Sequence, residues 1–297
     1  MIEEEILRLK EERNALILAH NYQPPELLEI ADHCGDSLEL SRAAAATDCD
    51  VVLFCGVDFM AQTAAVLSPE KTVILPETDA CCPMSQMIRP QDVRSLKKEH
   101  PGAAVVCYVN TSAQVKAESD ICCTSANGVA VVNSLPEKEI VFIPDRNLAA
   151  YVASKTDKRI IAWPGFCHVH DRYRAQDVLA ARTLHPEAEV LVHPECRPEV
   201  VDLADGVYST SGMAKHARAS AASEFIIGTE VGMIYRLVQD NPDKHFFPLK
   251  EGTVCLDMKK ITLKKVLRSL ETLQPRITVP EQVAIRAKKA IDRMLAI

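Results

Sequence analysis

The 297-residue sequence predicts an α/β protein built from three tandem three-layer α/β/α units, each with a short parallel sheet, around one central site. Two patterns carry that prediction. Short apolar runs alternate with helical stretches along the chain, and the alternation itself repeats three times. The composition, 47% hydrophobic and 25% charged, is that of an ordinary globular protein with enough apolar residues for a sizeable core.

In chain order, the opening MIEEEILRLKEER is charged and helical in pattern, so it reads as neither a signal peptide nor a membrane span. Strands are expected at Ala15–Ala19, Val51–Phe54, Thr72–Leu75, Ala104–Tyr108, Ile140–Ile143, Ile160–Trp163, Val190–Val192, Phe225–Ile227 and Phe246–Pro248. Gly, Pro or polar turns bound each run, as expected for buried parallel strands. Helical segments of roughly 10–15 residues lie between them, the signature of βαβ units. Two final helices, Leu263–Leu273 and Glu281–Leu295, have no strand to follow and are expected to pack back on the first unit.

The repeat becomes visible when LAHNYQPPELLEIADHCGDS is set beside CYVNTSAQVKAESDICCTS and VHPECRPEVVDLADGVYST. Each segment opens with a strand that ends in polar residues: His20-Asn21-Tyr22, Tyr108-Val109-Asn110 and His193-Pro194-Glu195. Seventeen residues after His20, Tyr108 and His193 stand the hydroxyls Ser37, Ser125 and Thr210. A second strand follows in each (VVLFCGVDF, EIVFIPDRN, SEFIIGTEV), then a third beginning with lysine. Each copy ends in a cysteine, at Cys82, Cys167 and Cys255, spaced by 85 and 88 residues. The expected units are therefore 1–86 (joined by 259–297), 87–171 and 172–258, each with three strands.

Composition narrows the function. A net charge of −7 gives no support for a nucleic-acid or anionic-membrane partner. Eleven cysteines, an odd number without an export signal, point to a reducing cytoplasm and away from a disulfide framework. No GxGxxG or GK[ST] motif occurs among the ten glycines, so the α/β pattern does not imply NAD or ATP binding.

Parallel sheets bind ligands beyond the carboxyl ends of their strands. Here those ends carry His20, Asn21, Tyr22, Tyr108, Asn110, His193 and Glu195, and three related units can aim them at one axis. Ser37, Ser125 and Thr210 read as helix N-caps, whose free N–H groups suit a small polyanionic substrate. Cys49, Cys55 and Cys107 read as small buried hydrophobes. Cys34, Cys122 and Cys123 fall near turns, and Cys196 is expected beside the site without being a ligand. Cys82, Cys167 and Cys255 are selected by the symmetry. Three thiolates without a fourth suggest a soft-metal site with one open position, since a four-iron cluster usually takes four cysteines. Structural zinc completed by His168 or His170 is the competing explanation.

The motifs LAHNYQ, GDS (35–37), CPM (82–84), TSAN (124–127), GFCHVH (165–170), HPEC (193–196), STSGM (209–213) and CLDMKK (255–260) together resemble the quinolinate synthase family (NadA), in order along essentially the whole chain. The resemblance implies a condensing transferase of de novo NAD biosynthesis. Its substrates would be iminoaspartate and dihydroxyacetone phosphate, and its products quinolinate, phosphate and water. It further implies a [4Fe-4S] cluster on Cys82, Cys167 and Cys255, with the fourth iron open to substrate as a Lewis acid. Glu195 would be the general acid/base. His20, Tyr22, Tyr108 and His193 would orient substrate and assist proton transfer, while Ser37, Asn110, Ser125 and Thr210 would bind carboxylate and phosphate oxygens. Partners would be small molecules only, with functional coupling to an aspartate oxidase or aspartate dehydrogenase. A cysteine-rich CxxCxxC segment carried by some relatives is missing here. Two other readings compete: a hydro-lyase acting through an open iron, and an iron–sulfur sensor or carrier.

Overall fold

The computed structural model describes residues 1–297. Twelve strands form three separate four-stranded parallel sheets. The first contains β1 (Ala15–His20), β2 (His33–Gly35), β3 (Val51–Cys55) and β4 (Thr72–Ile74). The second contains β5 (Ala104–Tyr108), β6 (Ile121–Cys123), β7 (Glu139–Ile143) and β8 (Arg159–Ala162). The third contains β9 (Glu189–Val192), β10 (Gly206–Val207), β11 (Glu224–Gly228) and β12 (His245–Pro248). Strand order is the same in each: β2-β1-β3-β4, β6-β5-β7-β8 and β10-β9-β11-β12.

All nine expected strands are present, with ends displaced by at most one residue. The expectation of three strands per unit is corrected to four. The added edge strands β2, β6 and β10 hold only two or three residues and offer no apolar run to read. An aspartate keys each of them in place instead. Asp32, Asp120 and Asp205 accept the N–H of Ile17, Val105 and Val190, all at 2.8 Å and all from 15 residues upstream. Cys34, Cys122 and Cys123 accordingly lie in strands rather than turns.

This order places the site. From β1 the chain crosses to β2 on one side and then returns to β3 on the other. Strand order thus reverses at the carboxyl ends of β1, β5 and β9, where a crevice opens between diverging connections. His20, Tyr108 and Val192, next to His193, end those three strands.

The main apolar core of 71 residues runs through the first two sheets and reaches one face of the third through Leu191, Phe225 and Ile227. Val190, Val192 and Ile226 point to the opposite face, as strand alternation requires, and there join Tyr173 and Val178 in a separate core of ten residues. Cys196 belongs to this second core and its thiol faces the carbonyl of Gly228 at 3.5 Å, so it does not line the site as expected. Cys107 is buried but is not a simple hydrophobe. It sits opposite Cys122 in the sheet, 3.0 Å from the Thr111 hydroxyl. Burial raises its pKa, but Cys122, the buried Lys116 ammonium and Thr111 outweigh that and bring it to about 7.

The final helices divide their packing. Leu263–Thr272 lies on Ile2–Glu12 of the first unit, as expected. Glu281–Leu295 instead bridges the seam, touching Asp58–Leu67 of the first unit and both Ala113–Lys116 and β6 of the second. Its buried stripe of Ala287, Ala290, Ile291 and Met294 repeats at helical spacing and faces both units.

Candidate active site

The three strand-end crevices open into one cavity. Twelve of the residues singled out in the sequence line it: His20, Tyr22, Ser37, Cys82, Tyr108, Asn110, Ser125, Cys167, His193, Glu195, Thr210 and Cys255. Asn21 is fully buried behind the wall and bonds to Thr210.

Two of the strand ends are built alike. His20 Nδ1 accepts the N–H of Tyr22 at 3.2 Å, and His193 Nδ1 accepts the N–H of Glu195 at 3.3 Å. Each ring therefore keeps its proton on Nε2 and is neutral. Burial pulls both pKa values down to about 3, helped by the Lys259 cation at His20 and by His170 at His193. His20 meets Tyr22 edge-on, with ring centroids 4.5 Å apart.

Glu195 is fully enclosed and anchored at one oxygen only. His170 Nδ1 lies 2.7 Å from Oε2, while Oε1 is buried with no partner. The second unit holds the backbone of Glu195, because Asn147 Nδ2 donates to its carbonyl at 3.0 Å. Burial opposes charge on this carboxyl, yet the neighbouring His193 and His170 outweigh burial and keep it well below the usual carboxylate range. Tyr22 and Tyr108 shift the other way. Burial first, and then the Glu195 charge, raises both phenols far above their ordinary value.

A hydrogen-bond chain connects these groups. With His170 Nδ1 donating to Glu195, His170 Nε2 accepts from Thr229 Oγ1 at 2.8 Å, and Thr229 Oγ1 accepts from the Tyr22 hydroxyl at 2.6 Å. His170 also stacks on His193 at 4.4 Å and approaches Cys167 Sγ at 3.2 Å. Sequence reasoning had considered His170 only as a zinc ligand and had missed Thr229. The HVH that follows Cys167 was the available signal for His170; nothing local marks Thr229.

The helix starts differ from expectation by a residue or two. Asp36, not Ser37, caps Ser37–Ala46, accepting the N–H groups of Leu38 and Glu39 at 3.0 Å. Ser209, not Thr210, caps Thr210–Ala219. Ser125 lies in the turn before Gly128–Ser134, whose N-cap position is Asn127. The capping residue must be extended with its side chain turned back on the helix. Ser37 and Thr210 follow it as first helical residues, which leaves their side chains on the cavity wall. The Thr210 hydroxyl accepts from Asn21 Nδ2 at 2.7 Å, and Arg236 donates to Asn21 Oδ1, so the amide cannot turn over. The proton of that hydroxyl is therefore available to the cavity.

Cys82, Cys167 and Cys255 supply three free thiols to the same space, one from each unit. Burial raises the pKa of all three. Two sets of metal-capable atoms lie within 4.8 Å of one another: Cys167 with His170 and Glu195, and Cys255 with His168 and Asp257.

Fold and site thus define a triplicated α/β protein with one cavity into which each unit brings a cysteine. The family model of quinolinate synthetase A protein matches residues 4–296, and the chain belongs to that enzyme family. It is 60% identical to the quinolinate synthase of Methanoregula boonei, covering 100% of this chain and 98% of that protein. It is 54% identical to quinolinate synthase 2 of Methanosarcina acetivorans, with 100% and 96% covered. Against the quinolinate synthase of Dehalococcoides mccartyi it is 52% identical, with 100% and 98% covered. No helix is long and apolar enough to cross a membrane.

Proposed function

We propose that this chain condenses iminoaspartate with dihydroxyacetone phosphate to give quinolinate, phosphate and water, with a [4Fe-4S] cluster held by Cys82, Cys167 and Cys255. The observation that carries this reading is the meeting of one cysteine from each unit with the strand-end acids, bases and hydroxyls in a single cavity. The donor set fits the cluster: three soft thiols, all unpaired, with no fourth cysteine on the wall. The orphaned acceptors Glu195 Oε1 and Asn110 Oδ1 call for a ligand that brings N–H or O–H groups, as an imine and a hydroxyketone do. When bound, a cluster with one open iron supplies Lewis-acid polarisation of a substrate oxygen.

The protein's own residues supply the rest. Ser37, Asn110, Ser125 and Thr210, with the helix ends at Ser37 and Thr210, bind carboxylate and phosphate oxygens and bring the two substrates together. Glu195 acts as base through the unpartnered Oε1, while His170 holds Oε2 in place. His20 and His193 are neutral Nε2–H donors, suited to hydrogen-bond substrate oxygens whose charge rises as water or phosphate departs. Tyr22 and Tyr108 stay protonated, and the chain Tyr22–Thr229–His170–Glu195 fixes the His170 tautomer and so the placement of the Glu195 carboxylate. Imines hydrolyse in water, so supply by an aspartate-oxidising enzyme in the cytoplasm belongs to the same reading. So does division of the chain into units 1–86 (with 259–297), 87–171 and 172–258.

Anaerobic purification tests the proposal. The expected product is a brown protein with about four irons and four sulfides per chain. It should form quinolinate from dihydroxyacetone phosphate and freshly generated iminoaspartate. Alanine at Cys82, Cys167 or Cys255 should remove the iron absorbance, while Cys49→Ala should keep it. A colourless zinc protein, or iron retained by the Cys167→Ala variant, overturns the cluster assignment.

A further inference from the structure

Each of the three cysteines stands on a loop fastened by the same two bonds, and neither bond touches the cavity contents. The Cys82 N–H donates to Asp58 Oδ1 at 3.2 Å, the Cys167 N–H to Asp145 Oδ2 at 3.0 Å, and the Cys255 N–H to Glu230 Oε1 at 3.2 Å. Two residues before each cysteine, the carbonyls of Ala80, Gly165 and Thr253 accept from the N–H of Asp58 (2.8 Å), Arg146 (2.8 Å) and Val231 (3.1 Å). The acids stand two or three residues beyond β3, β7 and β11, so the turn leaving a buried strand grips each loop. None of the three acids lines the cavity.

We propose that Asp58, Asp145 and Glu230 are positioning residues for the cysteines, each carboxylate holding a ligand loop by the cysteine amide. This rests on the cluster reading above. Two of the carboxylates are themselves immobilised. Asp145 Oδ1 accepts the N–H groups of Asn147 and Leu148 at 2.8 and 2.7 Å. Glu230 Oε2 accepts the Gly232 N–H at 2.8 Å and meets Lys259 Nζ at 3.2 Å. In each case one oxygen secures the acid and the other secures the loop. Gly165 shows how close the second fastening is, since a Cβ there would stand 2.4 Å from the Pro144 carbonyl oxygen. With its amide and the carbonyl two residues back both fixed, a cysteine retains little more than rotation about its Cα–Cβ bond. Three such bonds hold thiols from separate units at fixed spacing before iron arrives.

The test uses anaerobically purified holoenzyme and follows iron release to ferrozine, together with the electron paramagnetic resonance spectrum of the dithionite-reduced cluster. Asp58→Ala and Asp145→Ala should release iron about tenfold faster than wild type, the scale found for residues that orient metal ligands, with a shifted spectrum. Asp58→Asn, whose amide oxygen still accepts the Cys82 N–H, should return both readouts most of the way to wild type. The Asp58 carboxylate makes only this one hydrogen bond, so its variants keep the test decisive should Asp145→Ala fail to fold. Wild-type release and spectrum in Asp58→Ala overturn the inference while leaving the cluster reading intact. A wild-type protein without iron removes both.

Discussion

The cavity's residues fall into two sets, the cysteines and the strand ends, and the two sets treat the threefold repeat in opposite ways. In the cysteine set the units are copies: one thiol each, fastened by an acid just beyond the third, seventh and eleventh strands. In the other set the equivalent strand ends have diverged into His20 and Tyr22, Tyr108 and Asn110, and His193 and Glu195. A ligand gripped at three like corners needs three like donors, so symmetry is useful there. The two substrates of the proposed reaction, one bearing carboxylates and the other a phosphate, need unlike partners, and there symmetry would be a handicap. In the proposed reaction the copied residues hold and the diverged residues react.

Separating those duties yields the largest expected effect. Glu195→Gln should keep full iron content and spectrum while kcat falls about 10³-fold, the scale of a lost general base. Iron loss in that variant would break the distinction, because the diverged set would then be holding the cluster. A smaller effect is expected at the Asn21–Thr210 pair. Thr210→Val removes a hydroxyl whose proton is directed to the cavity, and should raise KM for one substrate about tenfold with kcat retained, while Thr210→Ser restores it. A matching fall in kcat would instead give Thr210 a part in the chemistry.

The smallest effect concerns stability. His20 and His193 stay neutral in the folded protein down to about pH 3, whereas in the unfolded chain they take up protons near 6.5. Their contribution is therefore complete above pH 6.5 and is lost as pH falls from 6.5 towards 3. The urea midpoint should drop between pH 7 and pH 5, and His193→Gln should flatten that drop. An unchanged slope would mean that the diverged set carries no such cost.

Legibility in the sequence followed the same division. The nine apolar strands and the three cysteines were readable because burial and repetition both leave local signals. The edge strands were not, since two or three residues keyed by Asp32, Asp120 and Asp205 carry no apolar period. Helix starts shifted by a residue or two because Asp36 and Ser209 compete with their neighbours for the capping position, and only backbone geometry decides between them. His170 and Thr229 escaped because their importance lies in a contact between the second and third units. Cys196 was misplaced because the turn after β9 sends it into the third unit's own core, away from neighbouring Glu195.

The bridging helix Glu281–Leu295 has a consequence for the order in which the molecule is made. It seals the seam between the first two units, yet it is translated after all three. Domains emerging from the ribosome fold as they appear, so the first two units must wait, side by side and unsealed, while the last two-fifths or so of the chain is still being added. The seam can therefore close only when the last helix has left the ribosome, and that helix is the closing stitch of biosynthesis.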